Sequence, residues 1–566
     1  MTVIEKTGWR RTKLLAPVCS FLIAANFSFF QLQAQTAFLA VDAAIAVIDG
    51  SAAPYNIVQP GDTVYLMAGT RDKLLIRNFK GTAGKPVTFI NKDGIVTINT
   101  NSYYGISIIN CKYIRFSGQG NSNDFYGIQI KKVAGGSGMG IGSRSSDIEI
   151  DHVSIENCFI GGIYAKTDPD CADLVSRNNF TQFNTNIHDN YIANAGNEGL
   201  YIGSSFNSGI KLTCNGKDTV VMPPVLDGVK IYNNIIKNTG WDGIQVSSAP
   251  LHCQIFNNTI LNDSQAEVQN QMSGILMGGG SKCDCNNNFI KDGKGDGIEN
   301  HGLGGNRIFN NIIVNAGLTY LPNDATQMKH GIFVSDVSIA KDSAVCIFFN
   351  DIINPKSDGI RFQSVKSKHN LIASNLIINP GNYNLYELDN TSFSGKDAYV
   401  MIPNAVADIQ LKNNFFSRTI ASAGISATDY TILPGSPLIN MGYADNGAIT
   451  IDFRNQRRLV GGLYDIGAME YDSGIDTLLH TFNEKPLLYP NPANGTLIIK
   501  YLSLTTKSLA VNIFTSNGSS LLQRSNFITV PGIQQLQIEV SHLAAGIYIY
   551  SIHDGNQIFS GKFLKF

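Results

Sequence analysis

Glu198, Asp242, Ser273, Asp296, His330 and Asp358 each stand immediately before a glycine in the middle of this chain. A row of acidic, hydroxyl and imidazole groups is the raw material of proton transfer. Carboxyls about 5 Å apart suit a retaining glycosidase pair, and a gap of ~6.5–9.5 Å suits an inverting pair. Asp before Gly also serves a turn, because its carboxylate bonds nearby backbone N–H groups. Both readings stay open at this point. The residues that follow these glycines add a second row: Gln129 and Lys131, Tyr164 and Lys166, Tyr201, Gln245 and Ser247, Glu299 and His301, Phe333, Arg361 and Gln363. Aromatic rings can stack on sugar faces and fixed polar groups can read hydroxyls. The candidate catalytic residues are Asp242, Glu299, His301 and Arg361, and the candidate substrate contacts are Lys131, Tyr164, Lys166, Tyr201 and Gln245. An eliminative route needs a base such as Lys166, His301 or Lys131, with Arg361 or a bound calcium to neutralise a uronate carboxylate. No EF-hand loop is present.

Rows of this kind require elements that stack. The phrase Asn233-Asn234-Ile235-Ile236 returns at Asn257-Asn258-Thr259-Ile260, Asn287-Asn288-Phe289-Ile290, Asn310-Asn311-Ile312-Ile313, Asn350-Asp351-Ile352-Ile353 and Asn413-Asn414-Phe415-Phe416. A Gly-Ile-x-apolar phrase interleaves with it at Gly105, Gly127, Gly162, Gly243, Gly274, Gly297, Gly331 and Gly359, and with Leu at Gly199. From Asn234 through Asn258 and Asn288 to Asn311 the steps are 24, 30 and 23 residues. That period is too short for the usual helical hairpin repeats and fits a coil of short strands. Apolar residues alternate within each phrase, which is a strand signal. Coils stacked about 4.8 Å apart bring equivalent residues into register. Asn tolerates the left-handed turn and its amides can bond from coil to coil. Gly is expected to allow the bend and Ile to fill the interior.

These phrases resemble the right-handed parallel β-helix families, which include many polysaccharide lyases and hydrolases. Pro60-Gly61-Asp62-Thr63-Val64-Tyr65-Leu66 and Gly81-Thr82-Ala83-Gly84-Lys85-Pro86-Val87-Thr88-Phe89 look like the opening coils of such lyases, without the catalytic phrases of the alginate and chondroitin lyases. Asn238-Thr239-Gly240-Trp241-Asp242, Asn300-His301-Gly302 and Gly359-Ile360-Arg361 are similar to polygalacturonase phrases in the same order. That family's Asp-Asp coil is missing, and Phe362 stands where its Lys would be. The resemblance implies an all-β chain that acts on polysaccharide by hydrolytic or eliminative cleavage. A non-catalytic glycan-binding or adhesive surface protein is the alternative.

Basic and acidic residues nearly balance, 43 against 44, and no basic stripe points to nucleic acid. Lys6, Arg10, Arg11 and Lys13 precede an apolar run from Leu14 to Phe30, which reads as a signal peptide over 1–35. No other segment offers the ~20 apolar residues of a membrane span. The organisation expected is an N-terminal cap over 36–60, with Ala37–Ile48 as a covering helix. The solenoid follows over 61–435, its C-terminal cap over 436–471 and a linker over 472–485. Asp452, Arg454 and Asp465 are expected to tie that cap together. Of nine cysteines, Cys171 and Cys214 lie in insertions and are expected to pair, whereas Cys111, Cys158, Cys253, Cys285 and Cys346 read as small buried residues. Cys283-Asp284-Cys285 has no partner pair at metal spacing, so no zinc is expected.

From Leu488 the composition changes to short alternating strands with Gly and Asn turns, which suggests a small Ig-like sandwich over 486–566. Tyr489-Pro490-Asn491-Pro492, Leu543-Ala544-Ala545-Gly546-Ile547-Tyr548 and the terminal Lys562–Phe566 resemble the type IX secretion sorting domain of Bacteroidetes. That resemblance implies handling by the type IX machinery and a secreted or outer-surface location reached through the periplasm.

Overall fold

The computed structural model describes residues 39–566, apart from 173, 322–327, 382–398, 444–448, 461–462, 472–485, 504–506, 530–531 and 554–557. The signal peptide and the linker lie outside the described residues. From Leu39 to Ser417 the chain winds as a parallel β-helix with three walls. The first wall is a sheet of parallel strands running from Val47–Asp49 through Ile163–Ala165, Leu200–Ile202, Ile244–Val246, Ser273–Met277, Asp296–Asn300, Ile332–Val334 and Ile360–Phe362 to Val400–Met401. The second wall includes Thr185–His188, Lys230–Tyr232 and Cys253–Phe256, and the third includes Ile235–Lys237, Thr259–Leu261 and Phe289–Lys291. The strand Val87–Thr100 is long enough to serve both of these walls.

Period-two alternation decides what each strand buries. On the first wall Ile163, Leu200, Ile244, Ile275, Ile298, Ile332 and Ile360 pair in register and point into one continuous core. The two asparagines of each repeat divide the work. Asn233, Asn257, Asn287 and Asn310 take the left-handed turn, with φ of 56, 55, 53 and 54°. Asn234, Asn258, Asn288, Asn311, Asn350, Asn375 and Asn414 form a buried ladder. Each amide Nδ2 donates to the Oδ1 of the next coil, for example Asn258 Nδ2 to Asn288 Oδ1 at 3.0 Å.

Several expectations change. Gly162, Gly199, Gly243, Gly274, Gly297 and Gly331 do not take a left-handed φ. They are required by close stacking instead: a Cβ on Gly243 would sit 2.6 Å from Gly274 O, and one on Gly297 2.5 Å from Gly331 O. Asn350 continues the ladder from Asn311, so the repeat there reads Phe349-Asn350-Asp351-Ile352, one residue off the phrase read in the sequence. Phe349 takes the turn at φ 57°, and Asp351 occupies an outward position that is Ile312 one coil earlier. Among the described residues 39–48 the expected covering helix does not form. Leu39–Val41 and Val47–Asp49 are strands of the coil, and the buried guanidinium of Arg71 donates to Val41 O and Asp42 O. Cys171 and Cys214 form a disulfide. Cys253 is not a free hydrophobe, because it bridges to Cys283 on the neighbouring coil.

The third wall turns apolar side chains outward, and C-terminal segments cover them. Ala423, Tyr430, Leu438, Ile466 and Met469 pack on Phe289, Ile312, Ile353 and Leu376. Asp452 accepts from the backbone N–H groups of Arg454, Gln456 and Glu470, and Asp465 accepts from those of Asn440 and Tyr471. Beyond 486, a three-stranded and a four-stranded antiparallel sheet pack around Leu497, Ile499, Val511, Ile513, Ile552 and Phe563 as a small β-sandwich. Its Phe514, Ile547 and Ile549 rest on Phe125, Tyr126, Tyr191 and Ile235 of the solenoid.

Candidate functional site

The outer face of the first wall brings most of the predicted residues into one row. Tyr164 pairs in register with Tyr201, Tyr201 with Gln245, Gln245 with Leu276, Leu276 with Glu299, Glu299 with Phe333 and Phe333 with Arg361. Lys131 does not belong to it. It lies on Ile128–Val133, which pairs within the other sheet, and its Nζ is 3.0 Å from Glu156 Oε1. The phrase at Gly127 misled because the same alternation fits any wall of a solenoid. At the opposite end of the row, Tyr164 OH donates to Glu198 Oε2 at 2.6 Å and its ring lies 5.1 Å from that of Tyr201. Lys166 lies over the Tyr201 ring at 5.5 Å and pairs with Asp168 at 2.7 Å.

Behind this row runs the column that precedes the glycines. Asp242 is fully buried and takes a 2.7 Å hydrogen bond from Ser273 Oγ to Oδ1, while Oδ2 has no protein partner. Burial, reinforced by the nearby Glu299, Glu198 and Asp263 carboxylates, pushes its pKa well above the ordinary range, against the Ser273 bond. Its buried surroundings thus disfavour the charged carboxylate. Burial also raises Glu198 and lifts Asp263 to about 6. Glu299 and His301 lie 3.2 Å apart, at ion-pair distance but without hydrogen-bond alignment, so His301 Nε2 stays unbonded. His330 stacks on Phe333 at 5.7 Å, and His301 meets the same ring edge-on at 6.0 Å. Lys329 Nζ reaches Asp296 Oδ2 at 3.3 Å. Burial works against its charge, but Asp296 and Glu299 outweigh that and raise its pKa. Arg361 Nη1 donates to Asp358 Oδ2 at 3.0 Å, leaving Arg361 Nε and Asp358 Oδ1 unpaired.

Orphaned atoms thus gather on this face: Asp242 Oδ2, Gln245 Nε2, Ser247 Oγ, His301 Nε2, Asp358 Oδ1 and Arg361 Nε. Each unmet buried group costs about 1–3 kcal/mol, a cost a polar ligand would offset. One wall beside them is the disulfide-tied insertion, where Arg177 Nη2 donates to Asn207 Oδ1 and Ser248 Oγ donates to Ser204 O. Sequence reasoning missed Asp263 and Lys329. Asp263 follows a turn asparagine rather than preceding a glycine, and its carboxylate fills the space over Gly293, where a Cβ would be 1.9 Å from Oδ2.

A second polar cluster lies on the second wall. Glu149, Asp151 and His188 are close enough to share a metal. Arg115 Nε already lies 3.2 Å from Glu149 and 2.9 Å from Asp151. Burial opposes charge on His188, but hydrogen bonds with Asp189 and Glu149 prevail and raise its pKa to about 9. Arg115, Asp189 and these three side chains thus form one ion network on the second wall. A cavity of ≈ 430 Å³, including open solvent, lies among Thr259, Phe289, Tyr430, Lys562 and Phe563 and holds none of the column's carboxylates.

Residues 487–565 match the secretion system C-terminal sorting domain. The protein is accordingly a secreted or cell-surface protein, and among the described residues no helix is long and apolar enough to cross a membrane. No curated protein matches the chain. Among solved structures it is similar to a GH136 lacto-N-biosidase from Eubacterium ramulus, at 13% identity over 64% of this chain and 63% of that one, with a TM-score of 0.39. It is also similar to the A-module of a mannuronan C-5 epimerase from Azotobacter vinelandii, at 12% identity over 63% and 87% of the two chains, with a TM-score of 0.34. A tailspike protein of an Escherichia coli bacteriophage aligns at 10% identity over 93% and 64%, with a TM-score of 0.20.

Proposed function

We propose that this exported β-helix protein cleaves a polysaccharide lying along the first wall, with Asp242 as proton donor and Glu299, beside His301, as proton acceptor. The observation that carries this reading is Asp242 itself: buried, held by Ser273 through one oxygen, and orphaned at the other. Glu299 lies two coils further on, an axial step of about 9.6 Å at a strand spacing of ~4.8 Å. In hydrolysis the Asp242 proton passes to the glycosidic oxygen as its bond to the anomeric carbon breaks. Water adds to that carbon and gives its proton to Glu299. Tyr164, Tyr201 and Gln245 would hold the sugars on the near side, and Arg361 on the far side.

Elimination is the second route, favoured by Arg361 Nε, an unpaired cation donor suited to a uronate carboxylate. A purely glycan-binding role is favoured by Glu198 and Asp358, which are already engaged by Tyr164 and Arg361. Purified mature protein incubated with uronate-containing and neutral glycans separates the three. Reducing ends without unsaturated products indicate hydrolysis, and unsaturated products indicate elimination. Binding with neither product would overturn catalysis.

A further inference from the structure

The corner between the second and third walls carries the chain's return path. Asn413 Nδ2 donates to Met441 O at 2.9 Å, Asn310 Nδ2 to Ile451 O at 2.8 Å and Asn287 Nδ2 to Asp452 O at 2.7 Å. Each step falls on an earlier coil than the one before. The sorting domain takes the next step on the same corner, where Lys562 Nζ donates to the backbone oxygens of Asn257 and Asn234. Its Leu564 and Phe566 pack against the cluster of Tyr430, Leu438 and Met469 over the third wall. The C-terminal segments and the sorting domain thus form one continuous cover.

The surface beneath is shaped for that cover. The outward row of the third wall reads Thr97, Gln129 and Ser154 on successive coils, then Tyr191 and Ile235. Tyr191 and Ile235 lie under the sandwich. With Phe125 and Tyr126, from the turn that leads into Ile128–Val133, they are buried against Phe514, Ile547 and Ile549. The Phe125 and Phe514 rings are 5.9 Å apart. Opposite Tyr126 stands Gly518 at φ 87°, where a Cβ would come within 3.0 Å of the Tyr126 ring. Glycine suits both the left-handed backbone and the close approach. Domains that touch through small polar patches move apart readily, whereas a buried contact rich in aromatic and aliphatic side chains holds.

We infer that the sorting domain is also a noncovalent tether for its own solenoid. It stays seated on the third wall when the chain is cut between 472 and 485, so the solenoid remains fixed to whatever holds the sorting domain. An intact linker raises the local concentration of the domain, but the seat itself supplies the attachment.

The test uses the full mature chain with a specific protease site placed within 472–485. A denaturing gel verifies complete cutting, and the product then passes through a sizing column at about 1 μM. The two pieces elute together at the position of the uncut chain. Ile549→Arg on the sandwich and Tyr191→Arg on the solenoid each force an unpaired charge into the apolar contact. Each weakens the cut complex by about a hundred-fold or more, and the pieces elute apart. Tyr191→Arg leaves the sorting domain unaltered and Ile549→Arg leaves the solenoid unaltered, so release in both variants does not arise from misfolding of one partner. Separation of the cut wild-type pieces overturns the tether. Co-elution in both variants overturns the assigned seat.

Discussion

The first and third walls are built from the same repeat, yet their outer faces are finished in opposite ways. On the third wall Ile235, Phe289, Ile312 and Leu376 face outward, and the chain covers them with Tyr430, Ile466, Met469 and, nearer the N-terminus, Ile547 and Ile549. On the first wall the outward groups include acids, amides and a guanidinium, several of them without a partner. Apolar surface is satisfied by any well-packed cover, so a protein can supply its own. Orphaned polar atoms need donors and acceptors at fixed positions. The first wall thus buries polar groups, Gln245 and Arg361 among them, without every partner their chemistry requires. Asp351 tests the rule from the other side: a carboxylate in the apolar row, it accepts from Ala468 N at 2.9 Å and is raised to about 7 by burial.

The contrast can be broken most sharply at Asp242 and Glu299. Asp242→Asn or Glu299→Gln lowers turnover by about 10²–10⁴-fold, while calorimetric melting shows Asp242→Asn no less stable than the wild type. A parallel fall in melting temperature would place Asp242 among structural residues.

Asp351→Asn should act on stability alone and with a defined pH sign. The folded-state pKa of about 7 lies above the ordinary value of ~3.9, so the fold disfavours the ionised form. Wild-type stability therefore falls as pH rises from about 4 to about 7 and then levels off. At about 1.36 kcal/mol per pKa unit the variant's advantage approaches ~4 kcal/mol above pH 7 and vanishes near pH 4. Denaturant melts at both pH values check it, and a pH-independent difference would contradict it.

The ladder comes next. Asn258→Ala removes the partner of Asn234 N–H, one bond of Asn234 Nδ2 and the amide donor to Ile231 O, while Asn288 Oδ1 keeps its bond from the residue 258 N–H, at a cost of about 3 kcal/mol. Urea titration measures it, and glycan preference should not change. The smallest effect belongs to Lys131→Ala, which breaks an exposed pair with Glu156 worth about 0–1 kcal/mol and leaves glycan binding unaltered. A lost affinity there would move the site to another wall.

Sequence showed what repeats and hid what does not. The asparagine turns, the inward isoleucines and the paired Cys171 and Cys214 were legible because spacing and residue type decide them locally. The outward row from Tyr164 to Arg361 followed from the same register. Lys131 was misplaced because alternation does not say which wall a strand joins. The frame at Asn350 slipped by one because Phe349 replaces the turn asparagine, which moved Asp351 into an apolar row. Asp263 and Lys329 were invisible for a different reason: they enter the site from turns, whose paths depend on packing rather than on period. The strands Ser520–Thr529 and Ile558–Lys565 of the sandwich also escaped notice, their alternation being interrupted by polar residues.

The asparagine ladder has one further property. Every amide in it points the same way, with its NH₂ group toward the later coil, from Asn190 through Asn234 to Asn414. Aligned dipoles add, and bonds in series polarise one another. The interior of this solenoid thus carries an electrical direction along its axis, negative toward Asn190 and positive toward Asn414, and an acidic group near the late coils gains from it what one near the early coils loses.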